Sequence, residues 1–403
     1  MHISRLALDH YRSWDHCVLD FEPGINILQG SNGLGKTNIV EAVEVLSTGS
    51  SHRTSSSLPL VEKGHPSATV RANVEDSGEQ RTYEITIAAR GANRARVDGG
   101  KSQYMRDIVG LVPSVSFTPE DQRLVSGDPA TRRNFLNQAA SLLLPRYTQS
   151  LQQFTHVAKQ RAALLKQLSD GSGIDPEYGR QAVLSGLEVW TGQFIALGVQ
   201  LTKDRNDVIG LLREPFTRIY ASLAGEEEQA DLVYEPSFDE VLLFDEPAAE
   251  ISHHFQRIYP GEVARGQNLI GPQRDDLTLR LNDMPAREFA SNGEMWTMAL
   301  ALKMALYEMV SAQRDVKPIV ILDDVFAQLD ESRRGKILDF ARWQDQVLIT
   351  VAAASDIPQG EAHVIDVAAL RAQSQETDGD IAAMAAMLAA GRGAQSQGIE
   401  AES

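Results

Sequence analysis

Gly30-Ser31-Asn32-Gly33-Leu34-Gly35-Lys36-Thr37 has the spacing of a phosphate-binding loop, G-x-x-x-x-G-K-[ST]. The residue types answer a physical need. Glycines let the backbone curl until successive N–H groups face phosphate oxygens, and the start of a helix adds its positive dipole end. In such a loop Lys36 reaches the β- and γ-phosphates and the Thr37 hydroxyl ligates Mg²⁺. Far downstream, the apolar run Ile319-Val320-Ile321-Leu322 ends in two carboxylates, Asp323 and Asp324. A buried strand ending in acid suits a Walker-B role, with Asp323 organising the magnesium ion and Asp324 orienting or deprotonating an attacking water. Alone, that pair would equally fit a strand followed by an acidic helix cap. The phosphate loop upstream decides for the nucleotide.

These groups need elements to hold them. Residues 25–28 form a short apolar run directly before the loop, and residues 37–46 have helical character directly after it. Residues 3–8 and 17–21 read as strands, with a turn at Pro23-Gly24. Strand patterns recur at 68–74, 83–87 and 94–97, the last leading into a hairpin turn at Val97-Asp98-Gly99-Gly100. Helical periodicity dominates 131–168 and 181–223, two long helices separated by a Gly/Ser/Asp/Pro stretch at 170–176. Then follow a strand at 277–281, a helix at 294–310, a buried strand at 319–322, a helix at 331–341 and a strand at 346–351. After Leu370 the chain turns Gln-, Ser-, Gly- and Ala-rich, which predicts a flexible tail with an Ala/Met helix at 381–390. No internal repeat is visible.

The two nucleotide motifs are far apart, and a large helical segment divides them. That layout predicts an α/β fold: an ABC-type P-loop ATPase head, with a mixed sheet and an antiparallel β subdomain, carrying an inserted α-helical arm lobe. The expected parts are 1–125 for the N-terminal half of the head, 126–264 for the helical lobe, 265–370 for the C-terminal half and 371–403 for the tail. In such a head Ser291-Asn292-Gly293-Glu294, just before a helix, reads as the signature loop, with Ser291 and Gly293 contacting the γ-phosphate held by a second protomer. The same residues also read as a plain N-cap serine with a glycine turn. Leu329-Asp330 takes the place of a D-loop at the dimer seam.

Composition excludes other classes. A single cysteine, Cys17, rules out a disulfide framework and cysteine-based metal clusters and fits a reducing cytoplasm. No run approaches 18 uninterrupted apolar residues and the first residues lack a signal-peptide core, so neither a transmembrane helix nor a signal peptide is expected. The net charge of −17 argues against a simple basic nucleic-acid binder. The charge is segregated, however: residues 222–251 hold ten acids and no Lys or Arg, whereas residues 131–167 hold six bases and no acid. His253-His254 lacks a carboxylate or cysteine partner at metal spacing and reads as a surface pair.

The chain resembles the RecF family of recombination-mediator ATPases, relatives of SMC-type heads, from its first residue to about Pro358. Four blocks carry the likeness in order. The first is His10-Tyr11-Arg12 with the run from Phe21 through the phosphate loop and Asn38 to Ala42. The second is Phe117-Thr118-Pro119-Glu120-Asp121 with the run from Gly127 through Arg132 and Arg133 to Leu136. The third is Gly271-Pro272-Gln273-Arg274-Asp275-Asp276-Leu277, and the fourth is Asp323 to Asp330 with Arg333-Arg334. The resemblance implies an ATP- and Mg²⁺-dependent homodimer that binds double-stranded DNA or its junctions without sequence preference. It also implies action with RecO and RecR to load recombinase, and a slow, often DNA-stimulated ATPase. Carried over residue by residue, it places Gly30 to Asn38 and Arg12 at the nucleotide, Arg12 beside the base. Lys36 and Asp324 become catalytic, Thr37 and Asp323 hold metal, and Ser291 and Gly293 act in trans. The chain departs from the family at Gln273, where His is common, at Glu294, where Gln is common, and at Thr350, where the switch region offers no histidine. The region of Glu120 takes the Q-loop position.

For DNA the sequence offers two basic candidates, the hairpin with Arg90, Arg94, Arg96 and Lys101, and the start of the helical lobe from Arg132 and Arg133 to Lys166. Either could be a solvated face, and Arg132-Arg133 could instead pair with the acidic region. Trp14 reads as a core or interface residue. Two competing functions are a P-loop phosphotransferase, disfavoured by the wide motif spacing, and a scaffold in which nucleotide only holds a dimer.

Overall fold

The computed structural model describes residues 1–54, 56–171, 179–225, 228–326, 331–353 and 360–374. The chain opens with strands β1 (His2–Tyr11), β2 (Trp14–Asp20) and β3 (Gly24–Gln29), then helix α1 (Lys36–Thr48). Strands β4 (Ser67–Asp76), β5 (Glu79–Ala88), β6 (Arg94–Val97), β7 (Gln103–Tyr104) and β8 (Ser114–Phe117) follow. A helical stretch comes next: α2 (Arg123–Ser126), α3 (Pro129–Leu143), α4 (Tyr147–Asp170) and α5 (Gly179–Ala224). It leads through β9 (Ala230–Glu235), α6 (Glu240–Leu243), α7 (Pro247–Arg265), β10 (Asp276–Leu281), β11 (Met284–Pro285) and α8 (Ala286–Phe289) to α9 (Asn292–Arg314). Strand β12 (Ile319–Asp323), helix α10 (Glu331–Ala341), strand β13 (Gln346–Val351) and strand β14 (His363–Asp366) complete the assigned elements. The chain divides into two compact units, Met1–Thr118 with Pro318–Ser403, and Pro119–Lys317. Residues 265–317, expected to belong to the head, therefore pack with the helical unit instead.

In the first unit a five-stranded sheet runs in the order β14-β3-β13-β12-β8, and every pairing is parallel. Its central strands β12 and β13 are buried at every position, as expected for a sheet covered on both faces. Register is what builds the site: Asp323 lies opposite Thr350, and Leu28 lies opposite Thr350 from the other side. The carboxyl ends of β3, β13 and β12 thus bring the phosphate loop, Thr350 and the acidic pair together, at the end of a parallel sheet where ligands bind. Helix α1 packs on β8, β12 and β13. A second, antiparallel sheet of six strands, β2-β1-β4-β5-β6-β7, completes the unit. Along β4, Ala68, Val70, Ala72 and Val74 point inward with period two. Buried Gln346 joins the sheets, accepting from the Ile3 N–H and donating to the Ile3 carbonyl, both at 2.8 Å.

In the second unit α5 runs 46 residues, with Leu187, Phe194, Leu201 and Val208 buried at seven-residue spacing, and Leu212, Phe216 and Tyr220 continuing the stripe. It packs on α4, α9 and β9. One 18-residue window of α5 has mean hydropathy 1.4, so by length and composition alone this helix could cross a membrane, which the sequence reading did not anticipate. Of that window 22% is buried, and the seven-residue stripe supplies the packed face of the helix. The expected helix over 131–168 is two helices. Pro145 breaks it: Leu144 takes an extended conformation, φ −112° and ψ 117°, as the residue before proline must. Strand β9 lies inside the acidic stretch, where Ala230, Leu232 and Tyr234 face inward and alternate with Asp231, Val233 and Glu235. It pairs with β10 in a three-stranded sheet.

Candidate nucleotide site

The phosphate loop leaves β3 at Gln29, and its first amide, Gly30 N–H, donates to the Val351 carbonyl at the end of β13. Gly33 and Gly35 have φ of 86° and 97°, left-handed values that disfavour any side chain. A Cβ at Gly35 would also stand 2.7 Å from Trp14 Nε1 and 3.0 Å from Ser13 Oγ. The outer side of the loop is held by donors. Trp14, buried, donates Nε1–H to the Gly35 carbonyl at 3.2 Å. Arg371 donates to the carbonyls of Leu34 and Ser13, both at 3.2 Å, with its guanidinium 5.1 Å from the Trp14 ring. A peptide carbonyl and its N–H point in opposite directions. Fixing the 34 and 35 carbonyls outward therefore turns the N–H groups of Gly35 and Lys36 inward, where phosphate oxygens would sit.

Lys36 starts α1, and its ammonium folds over the loop, donating to the carbonyls of Gly30 and, at 3.0 Å, Ser31. Burial pushes the Lys36 ammonium below its ordinary pKa, opposed by the charges of Asp324 and Asp323. Thr37 Oγ1 donates to Asp323 Oδ1 at 3.1 Å across 286 residues of sequence. Thr350 Oγ1 donates to the same oxygen at 2.6 Å and accepts from the Asp324 N–H at 2.9 Å. Burial raises the Asp323 carboxyl above the usual carboxylate range, with the two threonine hydroxyls pulling the other way. A hydroxyl and a carboxylate this close, with no nitrogen or sulfur donor, fit magnesium, which prefers oxygen ligands completed by phosphate and water. Asp324 has φ of 52°, a left-handed backbone that few residues besides Gly, Asn and Asp adopt. The last peptide of β12 is thereby turned, and Thr350 pins it.

The structure thus brings Gly30 through Thr37, Asp323 and Asp324 together. It gives two expected residues other work. All three guanidinium nitrogens of Arg12 are engaged: Nε and Nη2 donate to the Glu41 carboxylate at 2.8 and 2.5 Å, and Nη1 donates to the Pro59 carbonyl at 2.9 Å. It braces α1 against the turn before β2 with three of its five N–H groups. Asn38 likewise donates to Ser13 Oγ at 2.9 Å and accepts from Arg53 at 3.0 Å.

In the second unit, Ser291 caps α9 in a full capping box: its Oγ accepts from the Glu294 N–H at 3.3 Å, and the Glu294 carboxylate accepts from the Ser291 N–H at 2.5 Å. Those bonds hold the Glu294 carboxyl below its ordinary pKa. Glu294 therefore faces back onto the cap. Gln122 donates to Asn292 Oδ1 at 3.1 Å, and Asp121 pairs with Lys303 at 3.3 Å, so the segment at the Q-loop position braces both the cap and the body of α9. Leu329-Asp330 lies outside the described residues.

At the basic start of the helical lobe, Arg132, Arg133 and Arg161 are drawn inward, while Arg146, Lys159 and Lys166 are exposed. Arg132 is buried, with Nε and Nη2 donating to the Asp276 carboxylate at 2.7 and 2.8 Å. Half-buried Arg133 donates to the Asp275 carbonyl at 2.9 Å. They are structural partners, as the alternative reading allowed, although of Asp275 and Asp276 rather than of the acidic region. Arg161 is buried against Glu262 at 2.6 Å. Arg94 and Arg96, by contrast, are exposed on β6, and Arg94 and Arg106 each lie 4.3 Å from the ring of Tyr104. His254 lies 2.7 Å from Glu240, a carboxylate partner the sequence reading missed.

Residues 2–374 match the RecF/RecN/SMC N terminal domain. The chain is 98% identical over all 403 residues to the DNA replication and repair protein RecF of Bifidobacterium adolescentis, with both chains fully covered. It is 69% identical to the protein of the same name from Bifidobacterium longum subsp. infantis, covering 92% of this chain and 90% of the relative. A solved structure of the recombination mediator protein RecF with ATPrS, in the RecFOR pathway, superposes with a TM-score of 0.79 at 25% identity, covering 91% of this chain and 96% of that one.

Proposed function

The chain belongs to the RecF family of DNA replication and repair proteins, and from that premise we propose that it is a cytoplasmic, ATP-driven DNA clamp. In this reading two protomers close around ATP and Mg²⁺ and bind double-stranded DNA or gap junctions without sequence preference. The dimer helps RecO and RecR load recombinase, and slow hydrolysis releases it. The observation that carries the proposal is the convergence of Lys36, Thr37, Asp323 and Asp324 at the carboxyl ends of β3 and β12. Bound there, Mg²⁺ would neutralise charge on the transferred phosphate. Lys36 would leave the loop carbonyls for phosphate oxygens, and the Asp324 carboxylate would hold the proton of the attacking water. Ser291 and Gly293 would complete the site from the second protomer. Thr350 supports slow turnover, because its hydroxyl is already shared between Asp323 and the Asp324 amide. The DNA surface in this reading is the exposed face of β6 with Arg94 and Arg96, and not Arg132 or Arg133.

Asp324→Asn tests this. Asparagine tolerates the left-handed backbone and keeps the shape while removing the charge. ATP should bind as in the unaltered chain, turnover should fall on the order of 10²-fold or more, and the ATP-held dimer should persist longer in sedimentation. Unaltered turnover would remove Asp324 from the reaction. The outer brace makes a second prediction. Arg371→Ala should weaken nucleotide binding roughly tenfold in a fluorescent-nucleotide titration while thermal stability stays nearly constant. Arg371→Lys should recover only part of the loss, since an ammonium cannot fork between two carbonyls. Equal affinity in all three proteins would reduce Arg371 to a packing residue.

A further inference from the structure

His10, Asp15, Glu62 and His65 each present one ligating atom, and these four atoms all lie within 4.8 Å of one another. We propose that they form a binding site for one divalent transition-metal ion of the zinc class, separate from the magnesium position at Thr37 and Asp323.

The scaffold is paired backbone. His10 is the last residue but one of β1, Asp15 is the second of β2, and Glu62 and His65 lie on the segment after residue 60. That segment is clamped to the strand end by two hydrogen bonds, Arg12 N–H to the Leu60 carbonyl at 2.9 Å and Glu62 N–H to the His10 carbonyl at 2.8 Å, which together make Tyr11 and Val61 a bridged antiparallel pair. His65 N–H donates to the Glu62 carbonyl at 3.1 Å, which closes the turn that brings the second imidazole round. His10 has a left-handed φ of 50°, a conformation that costs on the order of 1 kcal/mol or more in a residue other than glycine and collects at functional positions.

Protons alone serve this cluster poorly. Asp15 Oδ1 and Glu62 Oε2 lie 2.7 and 3.0 Å from the same atom, His10 Nδ1, which carries at most one hydrogen. His65 Nε2 lies 3.9 Å from that same Glu62 oxygen. The two imidazoles stack with centroids 3.6 Å apart and planes inclined by 19°. A dication offers an acceptor position to each of the four atoms, and one imidazole would turn out of the stack to aim its in-plane lone pair at the ion. Two imidazole nitrogens with two carboxylate oxygens suit zinc or cobalt in four-coordinate geometry, whereas magnesium and calcium take oxygen alone. Side-chain exposures of 27–50% leave the position open to ion entry and exchange. The ion would tie residues 61–65 to the corner that carries Arg12, Ser13 and Trp14, the residues that brace α1 and the phosphate loop.

The test uses the full chain, free of metal and without an affinity tag, titrated with Co²⁺ and then with Zn²⁺. The expected result is one equivalent of Co²⁺ with the visible bands of a tetrahedral N₂O₂ site, displaced by Zn²⁺ and untouched by excess Mg²⁺. His10→Ala and His65→Gln should each weaken binding on the order of 10³-fold, beyond the roughly 10- to 100-fold that loss of an outer-shell partner costs. His253→Ala should bind as the unaltered chain does. Melting curves without metal verify that each variant folds, and His65→Gln, at a partly exposed turn, keeps the test valid should His10→Ala unfold. No tetrahedral spectrum in the unaltered chain, or equal binding by the His10 and His65 variants, would overturn the proposal.

Discussion

Lys36→Met is expected to weaken ATP binding by roughly 10- to 100-fold, the worth of a charged hydrogen bond to phosphate, and to lower hydrolysis on the order of a further 10²-fold or more. The fold should survive. The Lys36 ammonium donates only to the loop carbonyls of Gly30 and Ser31, and burial already works against its charge. Methionine fills a similar volume and removes that cost. Calorimetric titration with ATP, alongside a melting curve, separates the two effects. A variant that melts normally and binds ATP with unaltered affinity would contradict the assignment of the loop.

The largest stability effect is expected in the helical unit. Arg205 is buried, with Nη1 2.6 Å from both the Asp275 carboxylate and the Pro272 carbonyl, Nε 3.0 Å from the Tyr147 hydroxyl and Nη2 3.0 Å from Asn137. Asp275 is fully buried, and it also accepts from the Tyr234 hydroxyl at 2.5 Å and the Ser237 N–H at 2.8 Å. Burial works against the Arg205 charge, and Tyr147 and Asp275 more than offset it, so the guanidinium is held more firmly protonated than usual. Arg205→Met leaves Asp275 as an uncompensated buried charge and should cost about 3–5 kcal/mol. The double variant with Asp275→Leu should recover part of that loss, because an apolar pair avoids the desolvation that the ions suffer. Urea unfolding measures both. A loss below ~1 kcal/mol for Arg205→Met would mean that water reaches the pair.

The nucleotide half of the site was legible because its chemistry is local. The glycines, Lys36 and Thr37 are contiguous, and the strand ending at Asp323 is a continuous apolar run. Strands with clear period-two alternation, such as β4 and β5, were legible for the same reason. What escaped depends on register or on distance. Strand β8 is four residues, Ser114 to Phe117, whose full burial arises from pairing with β12 and not from any alternation of its own. Strand β9 was hidden by the acids around its inward residues. Thr350 acquires its place between Asp323 and Asp324 only through the β12–β13 register. Arg371 stood at the start of an expected flexible tail, yet residues 371–374 are helical and reach the phosphate loop; residues 375–403, with the expected helix at 381–390, lie outside the described residues. Arg132 misled because basic residues clustered in sequence look alike whether they meet solvent or a buried carboxylate such as Asp276. The ligating quartet of His10, Asp15, Glu62 and His65 has no sequence spacing to betray it, while the adjacent pair His253-His254 drew the eye.

The central claim is that one catalytic site is shared between two chains, and mixing two inactive variants tests it most directly. Ser291→Arg removes one helix cap, worth about 1 kcal/mol, and places a bulky cation where backbone amides must approach phosphate. It should bind ATP as a monomer and fail to dimerise, bind DNA or hydrolyse. Lys36→Met should be inactive for the reason given above. A mixed dimer can still assemble one intact site, with the phosphate loop of the Ser291→Arg chain facing the α9 cap of the Lys36→Met chain. The account predicts near-zero ATPase from either variant alone and clear activity from the equimolar mixture. Normal ATP-dependent dimerisation by Ser291→Arg alone, or a mixture as inactive as its components, would contradict it.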